Sequence, residues 1–302
     1  MTVVGADDRP ARLAAEPLAL AGPTPGFLRG TARSISDVWA HRELLSMLVH
    51  RELKARYKDS TLGFVWSLIR PLSLLIVYYV AIGKFLGGER SIPDIAIYIY
   101  AGLTAWGLFS EIVSVGTASI ITNAALVKKV YLPREVFPLS VVGSALFNFL
   151  IQVVILIVAT SALGKPPLGW GRLGFFALSL AVILVFGTAL AFLLSAVNVY
   201  LRDVNYLVEI ALMFGFWGVP VVYSWAQVQP HVTGALQTLY LCNPMTLVVF
   251  GFQRAFWTAG DSELAPAHVG RDLLIALIVG TVFLWLSQRV FARLQNNFAQ
   301  EL

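Results

Sequence analysis

The chain has 302 residues, 58% of them hydrophobic and only 13% charged, with a formal net charge of +5. Soluble domains carry about twice that charged fraction, so most of this surface is expected to face lipid and a soluble multidomain protein is excluded. The single cysteine, Cys242, excludes an intrachain disulfide and a cysteine-cluster metal site, and the four histidines are scattered; no metal is expected.

In chain order, residues 1–33 are polar and rich in Ala, Pro and Gly, with no apolar core long enough for a cleaved signal peptide. Their composition predicts a disordered tail, followed by a membrane domain over 34–302. Between 37 and 59, Val38, Leu45, Val49, Leu53 and Tyr57 share one helical face, opposite Glu43, Arg51, Lys54 and Lys58. Arg42, Glu52 and Arg56 intrude on the apolar side. The pattern predicts an amphipathic helix lying in the headgroup layer, running into a first span near Trp66 and Arg70.

A hydrocarbon core of about 30 Å needs about 20 apolar residues in a helix. Six stretches fit: Leu62–Leu86, Ile95–Thr117, Val136–Leu163, Leu173–Val199, Tyr206–Tyr223 and Leu273–Val290. With the first junction inside, and counting from residue 29 onward, fourteen Lys and Arg fall on the cytoplasmic side and six outside. That asymmetry places both ends of the chain in the cytoplasm and explains the basic balance without nucleic acid. Ala235–Trp257 is also long and apolar, but Asn243-Pro244 near its middle disfavours a continuous helix. A seventh crossing would also put Arg289 and Arg293 outside. Residues 226–260 are therefore expected to form a re-entrant helical hairpin from the outer face. Such backbone is tolerated at depth only where protein buries it or it lines a cavity, which makes Trp217, Tyr223, Trp225, Asn243 and Pro244 candidates for an outer gate. The expected fold is all-α and polytopic: six transmembrane helices, the interfacial helix and the outer hairpin.

The loop Asn123–Pro138 is longer than a turn between spans needs. Leu126, Val127, Val130, Tyr131 and Leu132 alternate there with Lys128, Lys129 and Arg134, before and among two prolines. Two readings stand: a knob inserted into a cytoplasmic protein, its charges paired at the rim, or a short helix resting on lipid. Glu111 and Glu209 are the two carboxylates within spans, where acids mark either function or local pairing. Tyr78, Tyr79, Tyr98, Trp106 and Phe109 could line a pathway, since aromatic faces stack on sugars, or simply pack. Trp66 and Trp170 suit an interfacial belt. No phosphate-cradling loop, nucleophile elbow or His-Glu-x-x-His pair occurs, so no enzymatic chemistry is expected in this chain.

These segments also carry a resemblance. Arg51-Glu-Leu-Lys-Ala-Arg-Tyr-Lys-Asp-Ser-Thr-Leu-Gly-Phe-Val-Trp66 with Pro71-Leu72 resembles the opening signature of ABC-2 type permeases that export polysaccharides, including O-antigen, teichoic-acid and galactan-type glycans. Leu126–Leu139 resembles their coupling loop, Asn198-Val-Tyr-Leu-Arg-Asp-Val204 their turn between spans four and five, and Asn243-Pro244 their outer re-entrant segment. The resemblance covers about 37–300 and implies a homodimer in the bacterial cytoplasmic membrane above two separate ABC ATPase subunits. ATP and Mg would bind on those partners and no cofactor on this chain. It places Lys128, Lys129, Tyr131, Pro133 and Arg134 at the coupling interface, and Arg51, Lys54, Arg56, Tyr57 and Lys58 where the anionic headgroup of a lipid-linked glycan would be received. An ABC-2 exporter of drugs or lipids, a membrane scaffold and a secondary transporter are the competing readings.

Overall fold

A computed structural model of the chain describes residues 27–57, 65–129, 132–167, 169–258, 266 and 268–302. Every regular element among the described residues is helical. The expected tail lies outside the described residues as far as residue 26, and from Phe27 onward the chain is helical. Helix α1 (Phe27–Ala40) is followed by α2 (Arg42–Tyr57), so the single interfacial helix expected over 37–59 is broken in two. The break falls at His41, whose backbone N–H and ring Nδ1 both meet the Asp37 carbonyl oxygen, at 3.1 and 2.7 Å. The Trp285 indole N–H donates to Thr31 Oγ1 at 3.0 Å and ties α1 to the bundle.

Helix α3 (Val65–Tyr78) carries Pro71 in its interior and continues as a π-helical turn, Tyr79–Phe85. Gly87, at φ 71°, ends it in the left-handed region that glycine adopts without steric cost. There follow α4 (Ile95–Thr122), the short α5 (Ala124–Lys129), α6 (Val136–Ala162), α7 (Trp170–Tyr200) and α8 (Val204–Trp217). The rest comprises α9 (Trp225–Val228), α10 (Ala235–Cys242), α11 (Pro244–Phe256), α12 (Val269–Leu294) and α13 (Phe298–Glu301).

Among the described residues, four helices are long and apolar enough to cross a membrane: α4, α6, α7 and α12 with its extension through α13. The bent pair α10–α11 would make a fifth if it were one span. The first and fifth expected spans are shorter as apolar helices, Pro71–Phe85 and Val204–Trp217. Helix α8 stops at Trp217 because Gly218 and Pro220 follow. At 1.5 Å per residue its 14 residues reach about 21 Å, short of the hydrocarbon thickness. The six-span expectation is thus matched by full-length helices at four positions.

Helix α7 is the hub, lying against α4, α11 and α12. Lipid supplies no hydrophobic force between such helices, so close approach of small residues has to hold them. A Cβ on Gly116 would come within 2.7 Å of Ala191 Cβ, and one on Gly187 within 3.1 Å of Ile112. The Asn198 amide donates across the same contact to the Thr117 carbonyl at 3.0 Å. Around this crossing sits the main apolar cluster, which encloses α11 on nearly every side. A smaller cluster (Leu48, Ile120, Val127, Val136, Phe137, Phe192, Ala196, Val199, Phe291, Phe298) closes the end that carries α2, α5 and α13; that end is called the basic end below. Gly116→Ala should cost about 1–3 kcal/mol of stability by overpacking, read as a lower melting midpoint in detergent. Gly107→Ala, whose nearest neighbour is Gln152 Oε1 at 3.9 Å, should leave the midpoint unchanged.

Candidate functional site

At the basic end, α2 is bonded to the chain on both sides of α5. The Arg51 guanidinium donates to Asn123 Oδ1 immediately before α5, and Asn123 in turn donates to the Ser119 carbonyl at 2.8 Å. Beyond α5, the Ser140 and Ser144 hydroxyls donate to the two Glu52 carboxylate oxygens at 2.7 and 2.9 Å. Val49 lies over Gly143, where a Cβ would approach within 2.7 Å. Glu52, an intruder on the apolar face by sequence, is therefore the polar centre of the α2–α6 contact, and Leu48 and Val49 do the apolar packing.

Helix α5 buries Val127 in the small cluster and exposes Lys128 and Lys129. Pro133 is half-buried, and Tyr131 lies outside the described residues. Arg134 is not displayed beside the two lysines. Its guanidinium donates to the Gln295 carbonyl and lies 5.9 Å from the Phe298 ring centroid. Gln295 Nε2 approaches Glu135 Oε1 at 3.5 Å, and the Tyr200 hydroxyl donates to the Leu294 carbonyl at 2.8 Å. Of the predicted headgroup residues, Arg51 and Lys54 sit beside Ser46, Met47 and His50 around a shallow depression of about 390 Å³ on α2. Lys58 and the side chains of Arg56 and Tyr57 lie outside the description.

At the opposite end, Asn243 and Pro244 begin α11: the Asn243 side chain accepts the Met245 N–H at 3.0 Å and Pro244 occupies the first turn. This is a helix start that suits both residues, with Asn as the cap and Pro where no N–H is needed. The axes of α10 and α11 diverge by 68° across it. Both ends of the segment 220–257 return to Tyr98, which is 1% exposed. Its hydroxyl donates to the Tyr223 carbonyl at 2.9 Å, and its ring meets Trp257 edge-on at 5.0 Å. The Gln253 amide donates to the Pro220 carbonyl at 2.7 Å and the Trp257 indole to the Pro93 carbonyl at 2.7 Å. Trp225 is buried, stacked on Tyr240 at 5.8 Å. Tyr223 donates to the Trp217 carbonyl at 2.9 Å, and Trp217 itself is exposed.

The five pathway aromatics divide. Tyr78, Trp106 and Phe109 gather around Phe216: Tyr78 lies 5.7 Å and Trp106 6.0 Å from the Phe216 ring, with Trp106 5.7 Å from Phe109. Together they fasten α3, α4 and α8. Tyr98 is instead enclosed under the hairpin, which removes it from any open surface of this chain. Tyr79 turns to the loop after α3, where its hydroxyl and the Lys84 ammonium donate to Glu89. The hydrogen bonds from Lys84 and then Tyr79 hold the Glu89 carboxyl below its ordinary range. Of the two intramembrane acids, Glu111 accepts from the Asn148 amide at 2.9 Å, while Glu209 is exposed and accepts from Asn205 at 3.3 Å.

Sequence reasoning did not single out Asn123, Ser140, Ser144, Gln253, Gln295 or Phe298. The first signal was present: Ser140, Ser144 and Asn148 recur at intervals of four in an otherwise apolar helix, a polar stripe on one face. Gln295 and Phe298 gave none, because Arg134, the residue that meets both, lies more than 160 residues away in sequence.

Residues 43–257 match the family described as ABC-2 type transporter. The chain is also similar to the O-antigen export system permease protein RfbA of Myxococcus xanthus. The two are 30% identical over 270 residues, which cover 89% of this chain and 99% of that protein. The protein of the same name from Klebsiella pneumoniae is 26% identical over 262 residues, 86% of this chain and 95% of its own.

The Glu52 contact can be tested directly. Glu52→Ala should lose about 1–2 kcal/mol, the low end for charge-assisted hydrogen bonds, because each serine can turn back to its own helix carbonyl. Combined with Ser140→Ala and Ser144→Ala it should show coupling of about 1 kcal/mol in a double-mutant cycle read by detergent melting. Lys54→Ala, at an exposed position, should show neither effect.

Proposed function

Since the chain belongs to the ABC-2 type transporter family, we propose that it is the membrane subunit of an ATP-driven exporter that moves a lipid-linked polysaccharide across the bacterial cytoplasmic membrane. The observation that carries the substrate class is its near end-to-end likeness to two permeases of O-antigen export. In this reading two copies pair, and two cytoplasmic ATPase subunits bind ATP and Mg and hydrolyse the nucleotide below them. This chain performs no chemistry of its own. Helix α8 buries only Val208 and turns Leu207, Ile210, Met213, Phe214 and Trp217 outward, which supports a face completed by lipid or by the second copy.

The basic end is the cytoplasmic one, by the excess of Lys and Arg there, and the lysines of α5 meet the ATPase. Arg51 and Lys54 on α2 face the anionic headgroup of the substrate as it approaches. Six crossings are counted, α3 and α8 being completed by lipid thinning, tilt or their flanking residues. We read the segment 226–260 as a re-entrant outer hairpin, which the meeting of Tyr223, just before it, and Trp257, within it, at Tyr98 supports. Nucleotide would shift an inward-open to an outward-open population only in so far as it binds the two states differently.

Two measurements decide the main points. In a Cys242→Ser background, Gln229→Cys and Arg271→Cys, both at exposed positions, should each be labelled from outside intact cells by an impermeant maleimide. A segment that crossed the membrane would put the two on opposite sides. For the activity, the protein co-purified with its ATPase and placed in vesicles should move lipid-linked glycan on addition of ATP. Lys128→Ala with Lys129→Ala should cut that transport about tenfold or more, the scale on which rim and core contacts of an interface act. Movement driven by an ion gradient without ATP would overturn the reading.

A further inference from the structure

We infer that the surface offered to the ATPase is composite: α5 supplies its lysines, the stretch Gln295–Leu302 supplies a second contacting element beside them, and Arg134 is the strut that joins the two within this chain. The inference rests on the reading that an ATPase docks at the basic end, and it adds to that reading both a partner-contacting segment and a different task for Arg134.

The argument begins with size. A stable protein interface of ordinary dimensions takes about 20–30 residues a side, whereas α5 has six, one of them buried. Neighbours must therefore contribute. Among the described residues, α13 packs against α5 from elsewhere in the sequence.

That stretch is built as a rigid pad and not as a loose end. Phe298 is 0% exposed, with its ring 5.6 Å from Phe291 and 6.2 Å from Tyr200. The backbone ahead of it is held at Leu294 by the Tyr200 hydroxyl and at Gln295 by the Arg134 guanidinium. Glu135, the residue after Arg134, meets the Gln295 side chain. One face of the stretch is thus committed to the protein. Asn296, Asn297, Ala299, Gln300 and Glu301 are exposed, and the helix to which the last three belong packs against α5, which carries the exposed Lys128 and Lys129.

Arg134 sits in the same loop as the lysines, but its charge is spent on a carbonyl and an aromatic face of its own chain. A planar guanidinium can serve both at once, and a lysine ammonium cannot do so with the same geometry. Arg134 is consequently a positioning residue: it sets where Gln295–Leu302 lies relative to α5 and leaves the direct contact to the exposed groups on either side.

The test uses the co-expressed complex of this chain with its ATPase. Capture of ATPase per permease is measured together with ATP turnover and export in vesicles. Gln300→Arg with Glu301→Arg, both on the exposed face, should weaken capture about tenfold while the permease keeps its melting midpoint. A photo-crosslinking residue at Gln300 should form an adduct with the ATPase, and one at Gln229 should not. Arg134→Ala and Arg134→Lys should both lower export per ATP hydrolysed by more than they lower capture, since the contact survives and its placement does not. Wild-type capture, turnover and export in the Gln300/Glu301 variant, with no adduct at position 300, would overturn the inference while leaving the exporter reading intact. Failure of the unaltered chain to capture any ATPase would bring down the exporter reading itself, and this inference with it.

Discussion

The structure depends on one constraint: inside a bilayer there is no water to satisfy a polar group, so each must find its partner within the protein. The irregular backbone after Trp217 exists only because it is covered. Carbonyls of Pro220 and Tyr223, freed where α8 ends, are taken up by the Gln253 amide and the Tyr98 hydroxyl. The break at Asn243 is closed by its own side chain. Several side chains follow the same rule: Glu111 takes the Asn148 amide, Glu52 the two serine hydroxyls, and the Asn198 Nδ2 amide reaches the Thr117 carbonyl. Because each of these contacts joins different helices, the polar groups that lipid would penalise are also what sets the helix register.

Apolar length, which sequence displays directly, explains which elements were legible. Helices α4, α6, α7 and α12 are long uninterrupted apolar runs, and their positions follow from bilayer thickness alone. The Asn243-Pro244 break was equally readable, since a proline's missing donor and an asparagine's capping oxygen are local properties. What failed was averaging. The Ala, Gly and Pro content of residues 1–33 conceals that the helix has begun by Phe27, and the apolar run 206–223 conceals the stop that Gly218 and Pro220 impose near its end.

The site was legible in outline but not in its bonds. Apolar residues interleaved with basic ones suggested a short helix in the loop 123–138, and α5 is one, but Val127 packs into this chain's own small cluster, which neither reading of the loop foresaw. Arg134, drawn from the same loop, belongs with Gln295 and Phe298 through a contact that spans 161 residues of chain. Aromatic residues illustrate the same limit. Tyr78 and Tyr98 both lie in apolar surroundings on paper, yet one sits in an open cluster between helices and the other is sealed under the hairpin by two hydrogen bonds and a tryptophan edge. No periodicity distinguishes them.

Under the proposed function, the contacts around α5 explain how a push at one end could reach the other. A helix free to slide would dissipate a displacement, but α5 is bracketed: Arg51 holds the residue before it, and Glu52 holds the helix after it, from adjacent positions on α2. Moving α5 therefore moves the ends of α4 and α6 together with α2. Helix α4 carries Tyr98 near its far end, the residue on which both ends of the hairpin converge. Close-packed cores shift between discrete arrangements and do not bend continuously, so such a shift would reach the hairpin as a two-state change. To turn a population from 1:99 to 99:1, the nucleotide-bound ATPase must favour one arrangement by about 5.5 kcal/mol. An interface limited to six residues with two solvated lysines would be hard pressed to supply that, because exposed ion pairs contribute about 1 kcal/mol or less each. The energetics thus favour a docking surface broader than α5, one whose parts are already fixed to each other before the partner arrives.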